Sequence, residues 1–177
     1  MTVFWSKGYE GTSLSDLTAA MGINRPSLYA AFGNKQELFR KALERYGEGP
    51  SSYERAALAH PSAREVAEGL LRGAADVQTD PHTPAGCLAV LGTTYCAEDS
   101  SPIGKIVIAF RRAGQAAIRE RLERARAEGD LPANADPKAL TDYIGTVVCG
   151  MAVQAASGAT REDLERVIEL TMRAWPQ

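Results

Sequence analysis

Cysteine and histidine are scarce: Cys87, Cys96 and Cys149, with His60 and His82, are all that 177 residues contain. An odd number of cysteines without close pairing fits a reducing compartment better than a disulfide framework, so a cytoplasmic location is expected. His82, Cys87 and Cys96 lack the paired spacing of a zinc site, and His60 is the only other histidine, so no metal is expected. Both histidines sit in proline-containing loop sequence (His60-Pro61 and Asp80-Pro81-His82). That is poor ground for a Ser-His-Asp or Cys-His set, so neither an enzyme nor a cofactor is expected. Long apolar runs are missing too. The longest uncharged stretch, Tyr143 to Thr160, is 18 residues and includes Gln154 and Ser157. It is short and polar for a membrane span, so we read it as buried against protein. No basic segment followed by an apolar run opens the chain, and secretion is not expected.

Strand signals are nearly absent, whereas apolar spacings of three and four recur throughout, so the fold is expected to be all-α. Hydrophobic residues at 45% and charged residues at 24% are ordinary for a globular chain. Charge is unevenly placed: residues 1–46 hold six Lys/Arg against four acids although the whole chain carries −2. The N-terminal quarter is the mildly basic part.

Ser13 with Asp16 forms a capping-box pattern, and Leu14, Leu17 and Met21 mark one helical face that Gly22 ends. Asn24 caps a second short helix, with Pro26 in the first turn where its missing N–H costs nothing and Leu28, Ala31 and Phe32 inward. Asn34 with Glu37 opens a third, carrying Leu38, Phe39, Ala42, Leu43 and Tyr46. Residues 47–52 read as a linker. Beyond them, Ser62 with Glu65 caps a helix through Val77, a short apolar helix is expected from about Ala85 to Cys96, and Pro102 starts a long one closed by Gly129 and Pro132. Asp136-Pro137 starts another that runs to about Gly158, and Thr160 with Asp163 caps the last.

Two short helices joined through Gly22-Ile23 have the dimensions of a helix-turn-helix. With Leu28 and Phe32 inward, Pro26 and Ala30 lie at the outward centre, flanked by Ser27 and Tyr29, on a face narrow enough for a major groove. The helix starts at Ser13 and Asn34, with Lys35 beside the latter, offer donors and charge to phosphates.

The run from Phe4 to Leu17, then Met21-Gly22-Ile23 and Ser27 to Leu38, resembles the DNA-binding domain of TetR-family (tetracycline-repressor-like) transcriptional regulators. Gly8-Tyr9 before Thr12-Ser13, and Leu28-Tyr29 followed by Phe32 and Lys35, carry the likeness. The resemblance implies a homodimeric regulator, expected to be a repressor, that binds double-stranded operator DNA and is released by a small-molecule inducer. Its DNA-binding domain would be residues 1–47 and its ligand-binding and dimerisation body residues 53–177. Carried onto this chain, Tyr29, Lys35 and Thr12 or Ser13 become phosphate contacts, and Arg25, Ser27 and Asn24 become candidates for base edges. Pro26 is left for apolar contact with thymine methyls.

The implied inducer chamber takes Leu70, Val77, Cys87, Leu91, Val107, Phe110, Arg111 and Tyr143 as candidate lining. An inward Arg111 would argue for an anionic ligand, an outward one for a neutral apolar ligand. The last two helices are expected to dimerise through Ile144, Val147, Val148, Met151, Ala152 and Ala155 with Leu164, Val167, Ile168 and Met172, because a helix apolar on most sides must be covered on most sides. One departure stands out. The family's first helix runs several turns, but only Thr2 to Lys7 precede Gly8 here. A shortened first helix is expected to leave Leu14, Leu17, Leu28, Phe39 and Leu43 short of cover, and the alternative reading is a helical ligand-binding dimer with impaired DNA binding.

Overall fold

The computed structural model describes residues 1–92 and 101–176. Among the described residues there are ten α-helices and no strand. The expected helix to Cys96 appears as α7 (Leu88–Leu91), and Cys96 lies outside the described residues.

Four helices form the N-terminal head: α1 (Thr2–Lys7), α2 (Leu14–Met21), α3 (Arg25–Phe32) and α4 (Lys35–Glu48). Local chemistry sets their boundaries. The Ser13 hydroxyl accepts from the Asp16 N–H at 3.0 Å while the Asp16 carboxylate accepts from the Ser13 N–H at 2.8 Å. Lys7 Nζ, at the end of α1, reaches Asp16 Oδ1 at 2.7 Å and fastens the two helices together. Gly22 closes α2 with φ 65° and ψ 29°, a left-handed conformation that a β-carbon disfavours. Asn24 and Asn34 each accept from the amide three residues on, at 2.9 and 2.8 Å.

The head core is aromatic. Phe4, Trp5, Phe39 and Tyr46 are buried together, with Phe4 edge-on to Phe39 at 5.1 Å and Trp5 edge-on to Tyr46 at 4.9 Å. Its apolar cluster does not stop at the head: Leu88 and Ala89 of α7 and Ile103 and Val107 of α8 (Pro102–Ala127) belong to it. This corrects the expectation of a poorly covered head in part: a cavity of about 200 Å³ remains between the start of α1, α2 and α4, lined by Val3, Phe4, Leu17, Met21 and Leu38, but the large side chains themselves are covered. Leu17, Leu28, Phe39 and Leu43 are all buried, and of the five only Leu14 is half-buried. Two body helices supply cover that the length of α1 alone does not reveal.

Residues 47–52 are not a plain linker. A 3₁₀ turn, Pro50–Ser52, leads into α5 (Tyr53–Leu58), a helix that the sequence reading did not anticipate. The body continues with α6 (Ala63–Gln78), α7, α8, α9 (Pro137–Ala156) and α10 (Arg161–Arg173). Capping boxes at Ser62/Glu65 and Thr160/Asp163 start α6 and α10 as expected. Its core contains many small residues, including Ala63, Ala67, Ala74, Ala75 and Ala125, which let helices pack closely around Leu70, Leu71, Leu122 and Ile144. Arg121, buried on α8, donates from Nη2 to the carbonyls of His60 and Pro61, both at 2.9 Å, and so ties α8 to the corner between α5 and α6.

By length and composition α9 could cross a membrane, and 28% of that stretch is buried within this chain, where it packs on α6, α7 and α8. Within the single chain, the expected burial against protein is met for part of this helix. Val153 is 48% exposed on α9 and Leu170 is 64% exposed on α10.

Candidate nucleic-acid interface and body cavity

The outer face of α3 is built by subtraction. Leu28 is buried and Phe32 half-buried, which leaves Asn24, Arg25, Pro26, Ser27, Tyr29 and Ala30 in solvent; Ala31, expected inward, is exposed as well. Tyr29 is 45% exposed, a large ring standing where a folded chain gains nothing from it. Arg25 reaches across to α2, its Nη2 donating to Ser15 Oγ at 3.0 Å. That bond holds the guanidinium beside the groove-sized face and not on it. Lys35 lies over the Tyr9 ring with Nζ 4.2 Å from the centroid, and Lys41 over Phe32 at 5.3 Å. Aromatic support positions both ammonium groups without neutralising them.

Thr12 needs correction. It is 1% exposed, and its hydroxyl donates to the Gly8 carbonyl at 2.6 Å, so the side chain shapes the turn between α1 and α2 and is turned away from any phosphate. Ser13 stays exposed, with its hydroxyl engaged by Asp16. The Asp16 carboxyl is held well below the usual carboxylate range, first by Lys7 and then by the Ser13 hydroxyl and amide.

In the body, a cavity of about 100 Å³ opens between α4, α5, α6, α7, α8 and α9. Leu70, Cys87, Phe110 and Arg111 line it as expected from the sequence; the other four candidates do not. Val77 and Val107 pack into the head cluster, because α6 and α8 turn those faces toward α7 and the head. Leu91 is half-buried beside Gly86, where a β-carbon would stand 2.4 Å from its Cδ1, and Tyr143 is exposed on the outer side of α9. Arg111 is exposed, with Nη2 3.2 Å from Cys149 Sγ.

Residues that the sequence reading missed form the polar wall: Tyr46, Ser51, Tyr53, Glu54 and Gln115. Glu54 is half-buried; burial pushes its carboxyl up and the Ser51 hydroxyl, donating to Oε1 at 2.8 Å, opposes that shift. Tyr53 reaches the cavity because Gly73 on α6 leaves room, since a β-carbon there would stand 2.4 Å from the Tyr53 ring. Burial pushes the Tyr46 and Tyr53 phenols and the Cys87 thiol up, so all three are neutral at physiological pH.

Tyr46 belongs to both sites. Its hydroxyl donates to Cys87 Sγ at 3.3 Å at the cavity wall, and its ring packs on Trp5 in the head core. At the same level Gly47 lets α4 approach α8, where a β-carbon would stand 3.1 Å from the Phe110 ring. A change of cavity shape therefore bears directly on α4, the helix behind the helix-turn-helix.

The dimerisation candidates also need correction as surface residues. Ile144, Met151, Ala152, Ala155, Leu164, Ile168 and Met172 are buried in this chain's own core, and Val147 and Val148 are half-buried. What α9 and α10 leave outward is Tyr143, Val153, Val167 and Leu170. Because α9 is apolar on nearly every side, its sequence has no clear phase; α10 does have one, and Leu164, Ile168 and Met172 on its apolar face pack into this chain's own core.

Comparison with known proteins gives consistent relatives. The family model for bacterial regulatory proteins of the tetR family matches residues 1–42. The HTH-type transcriptional repressor ComR of Escherichia coli K12 is 32% identical over 179 residues, spanning 100% of this chain and 85% of that protein. BdcR, a repressor from the same strain, is 30% identical over 166 residues, spanning 92% and 78%. Among solved structures, a cysteine mutant of the TetR family transcriptional regulator CifR, complexed with 26-bp double-strand operator DNA, is 43% identical. It superposes with a TM-score of 0.92 over 99% of this chain and 92% of that one.

Proposed function

This chain belongs to the tetR family of bacterial regulatory proteins, and on that premise we propose that it is a cytoplasmic repressor that binds operator DNA as a homodimer and is released by a small molecule in the body cavity. The observation that carries the reading is α3, a helix held by Leu28 with a solvent-facing row of Arg25, Pro26, Ser27 and Tyr29. Such a helix enters the major groove, while Tyr29, Lys35 and the free amides at the start of α4 meet phosphates on either side. Asn24, Arg25 and Ser27 are the base-reading candidates. Arg25 must leave Ser15 to reach a guanine edge.

The burial of Leu17, Leu28, Phe39 and Leu43 supports this reading over a dimer that has lost DNA binding. Homodimerisation is proposed through the outward residues of α9 and α10, which would bury Val153 and Leu170 and place two heads on one face of the duplex. Ligand in the cavity would press on Tyr46 and Phe110, tilt α4 and change the separation of the heads. Nothing in this scheme calls for catalysis, and the chain is proposed not to be an enzyme.

Fluorescence-anisotropy titration tests it, using duplexes from the region upstream of the protein's own coding sequence and scrambled controls of equal length. The reading expects tight, salt-dependent binding to one upstream duplex and weak binding to the scrambled one. Equal affinity for both would overturn sequence-specific recognition.

A further inference from the structure

The notable group in the cavity is Glu54, which the sequence did not single out. Its carboxyl is half-buried, takes one hydrogen bond from Ser51, and forms no ion pair with any described Lys, Arg or His. The stretch 93–100 contains none of those residues. The charged and titratable groups around Glu54 do not balance it. Tyr46, Tyr53 and Cys87 are neutral, and Arg111 stands at the solvent-exposed rim with its guanidinium against Cys149. A carboxylate drawn out of water without a counter-charge is a cost that folding alone does not recover. The remaining wall is apolar or aromatic, with Leu70, Ile144 and the Phe110 ring among its members.

We propose that this cavity takes a small, mainly apolar molecule carrying one positively charged nitrogen, with Glu54 as its counter-ion and the aromatic rings as its bed. The nitrogen docks at the carboxylate beside Ser51, where neighbouring Tyr faces add to the attraction of a cation. The apolar body fills the side toward Leu70 and Ile144. At about 100 Å³ the cavity is smaller than the engineered apolar cavity of about 150 Å³ that holds benzene, so it takes a short branched chain, or one ring only if part of the molecule extends into its open mouth. The proposal rests on the cavity being the effector site and names the chemical class of that effector.

Isothermal titration of the full chain with three probes of equal size, benzylammonium, benzyl alcohol and benzoate, tests it. Benzylammonium is expected to bind about tenfold or more tighter than benzyl alcohol, as a charge-assisted hydrogen bond implies, with benzoate weakest. Glu54→Gln should remove that preference and leave benzyl alcohol within about twofold of its original affinity. If Glu54→Gln does not fold, the order of the three probes on the unaltered protein decides. Benzoate or benzyl alcohol binding as tightly as benzylammonium, a preference unchanged by Glu54→Gln, or no binding by any probe would each overturn the assignment. A parallel anisotropy titration with the upstream duplex separates this from the effector role. Benzylammonium that binds through Glu54 without loosening DNA supports the ligand class while contradicting release by ligand.

Discussion

The head and the body solve the same packing problem in opposite ways. The head buries few, large side chains: Phe4, Trp5, Phe39 and Tyr46 meet edge to face, and the rings lock α1 against α4. The body core is mainly aliphatic, with alanines set among Leu71, Leu122, Ile144, Met151 and Ile168, and it leaves space where α4 to α9 converge. An aromatic core of this kind holds a fixed surface, which a DNA-reading helix needs. An aliphatic core without interlocked rings, opening on a cavity between six elements, can change shape at modest cost, which a ligand sensor needs. The two meet where Leu88, Ala89, Ile103 and Val107 join the head cluster, and Tyr46 is the head residue that also lines the body cavity.

The sharpest way to break the comparison is Phe39→Ala. Removing a fully buried ring that touches Phe4 and Tyr9 should cost about 3–5 kcal/mol. Because the cluster extends into α7 and α8, urea unfolding should then show the head loosening together with Leu88 and Ile103. A head that melts alone, with α7 and α8 unchanged by hydrogen exchange, would refute the shared core.

Dimerisation comes next in size. Leu170→Glu should leave the single-chain fold intact while weakening the dimer about thirtyfold or more, the effect of losing a central interface anchor, as read by analytical ultracentrifugation. Ile168→Ala, a buried neighbour, should do the reverse, lowering folding stability by about 2–5 kcal/mol with the association constant of the folded chains little changed. The same response from both would contradict the inward and outward assignment of α10.

On the DNA face, Tyr29→Ala and Lys35→Ala should weaken binding to every duplex, and Lys35→Ala should reduce the salt slope by about 1. Arg25→Ala should change which sequence is preferred. Uniform losses across sequences from all three would remove Arg25 from the base-reading set.

The smallest expected effect is acid sensitivity. Asp16 is held below its ordinary value by Lys7 and then Ser13, Glu65 by Ser62, and Asp163 by Thr160 and, more weakly, Arg166. A carboxyl depressed in the folded state contributes stability that is fully present above its unfolded value and is lost as pH falls through its folded one. Melting temperature should therefore decline below the ordinary carboxylate range, while Glu54, raised by burial, works the other way above it, its cost being relieved as pH falls through its folded value. Ser62→Ala should remove about 1 kcal/mol at neutral pH and make that decline shallower.

Local chemistry was legible in the sequence and tertiary chemistry was not. Ser13/Asp16, Ser62/Glu65 and Thr160/Asp163 announce helix starts because both partners lie within one turn, and Gly22 announces a stop because few other residues take its conformation. The outward row on α3 followed from Leu28 and Phe32 alone. Helix α5 escaped because six residues after a Gly- and Ser-rich turn carry little periodicity, and with it escaped Tyr53 and Glu54. Val77 and Val107 missed the cavity because the choice between two neighbouring faces of α6 and α8 depends on where α7 packs, a long-range fact. Thr12 misled for a related reason: its hydroxyl is polar, but the turn after Gly8 consumes it.

The central claim is that two α3 helices, carried by a dimer, read two half-sites on one face of a duplex. Hydroxyl-radical footprinting of the upstream duplex by the intact protein measures this directly. The account predicts two protected patches on the same face, their centres about one helical turn (roughly 34 Å) or a multiple of it apart, both lost with Leu170→Glu. A single protected patch, or two that persist when the protein is monomeric, would contradict it.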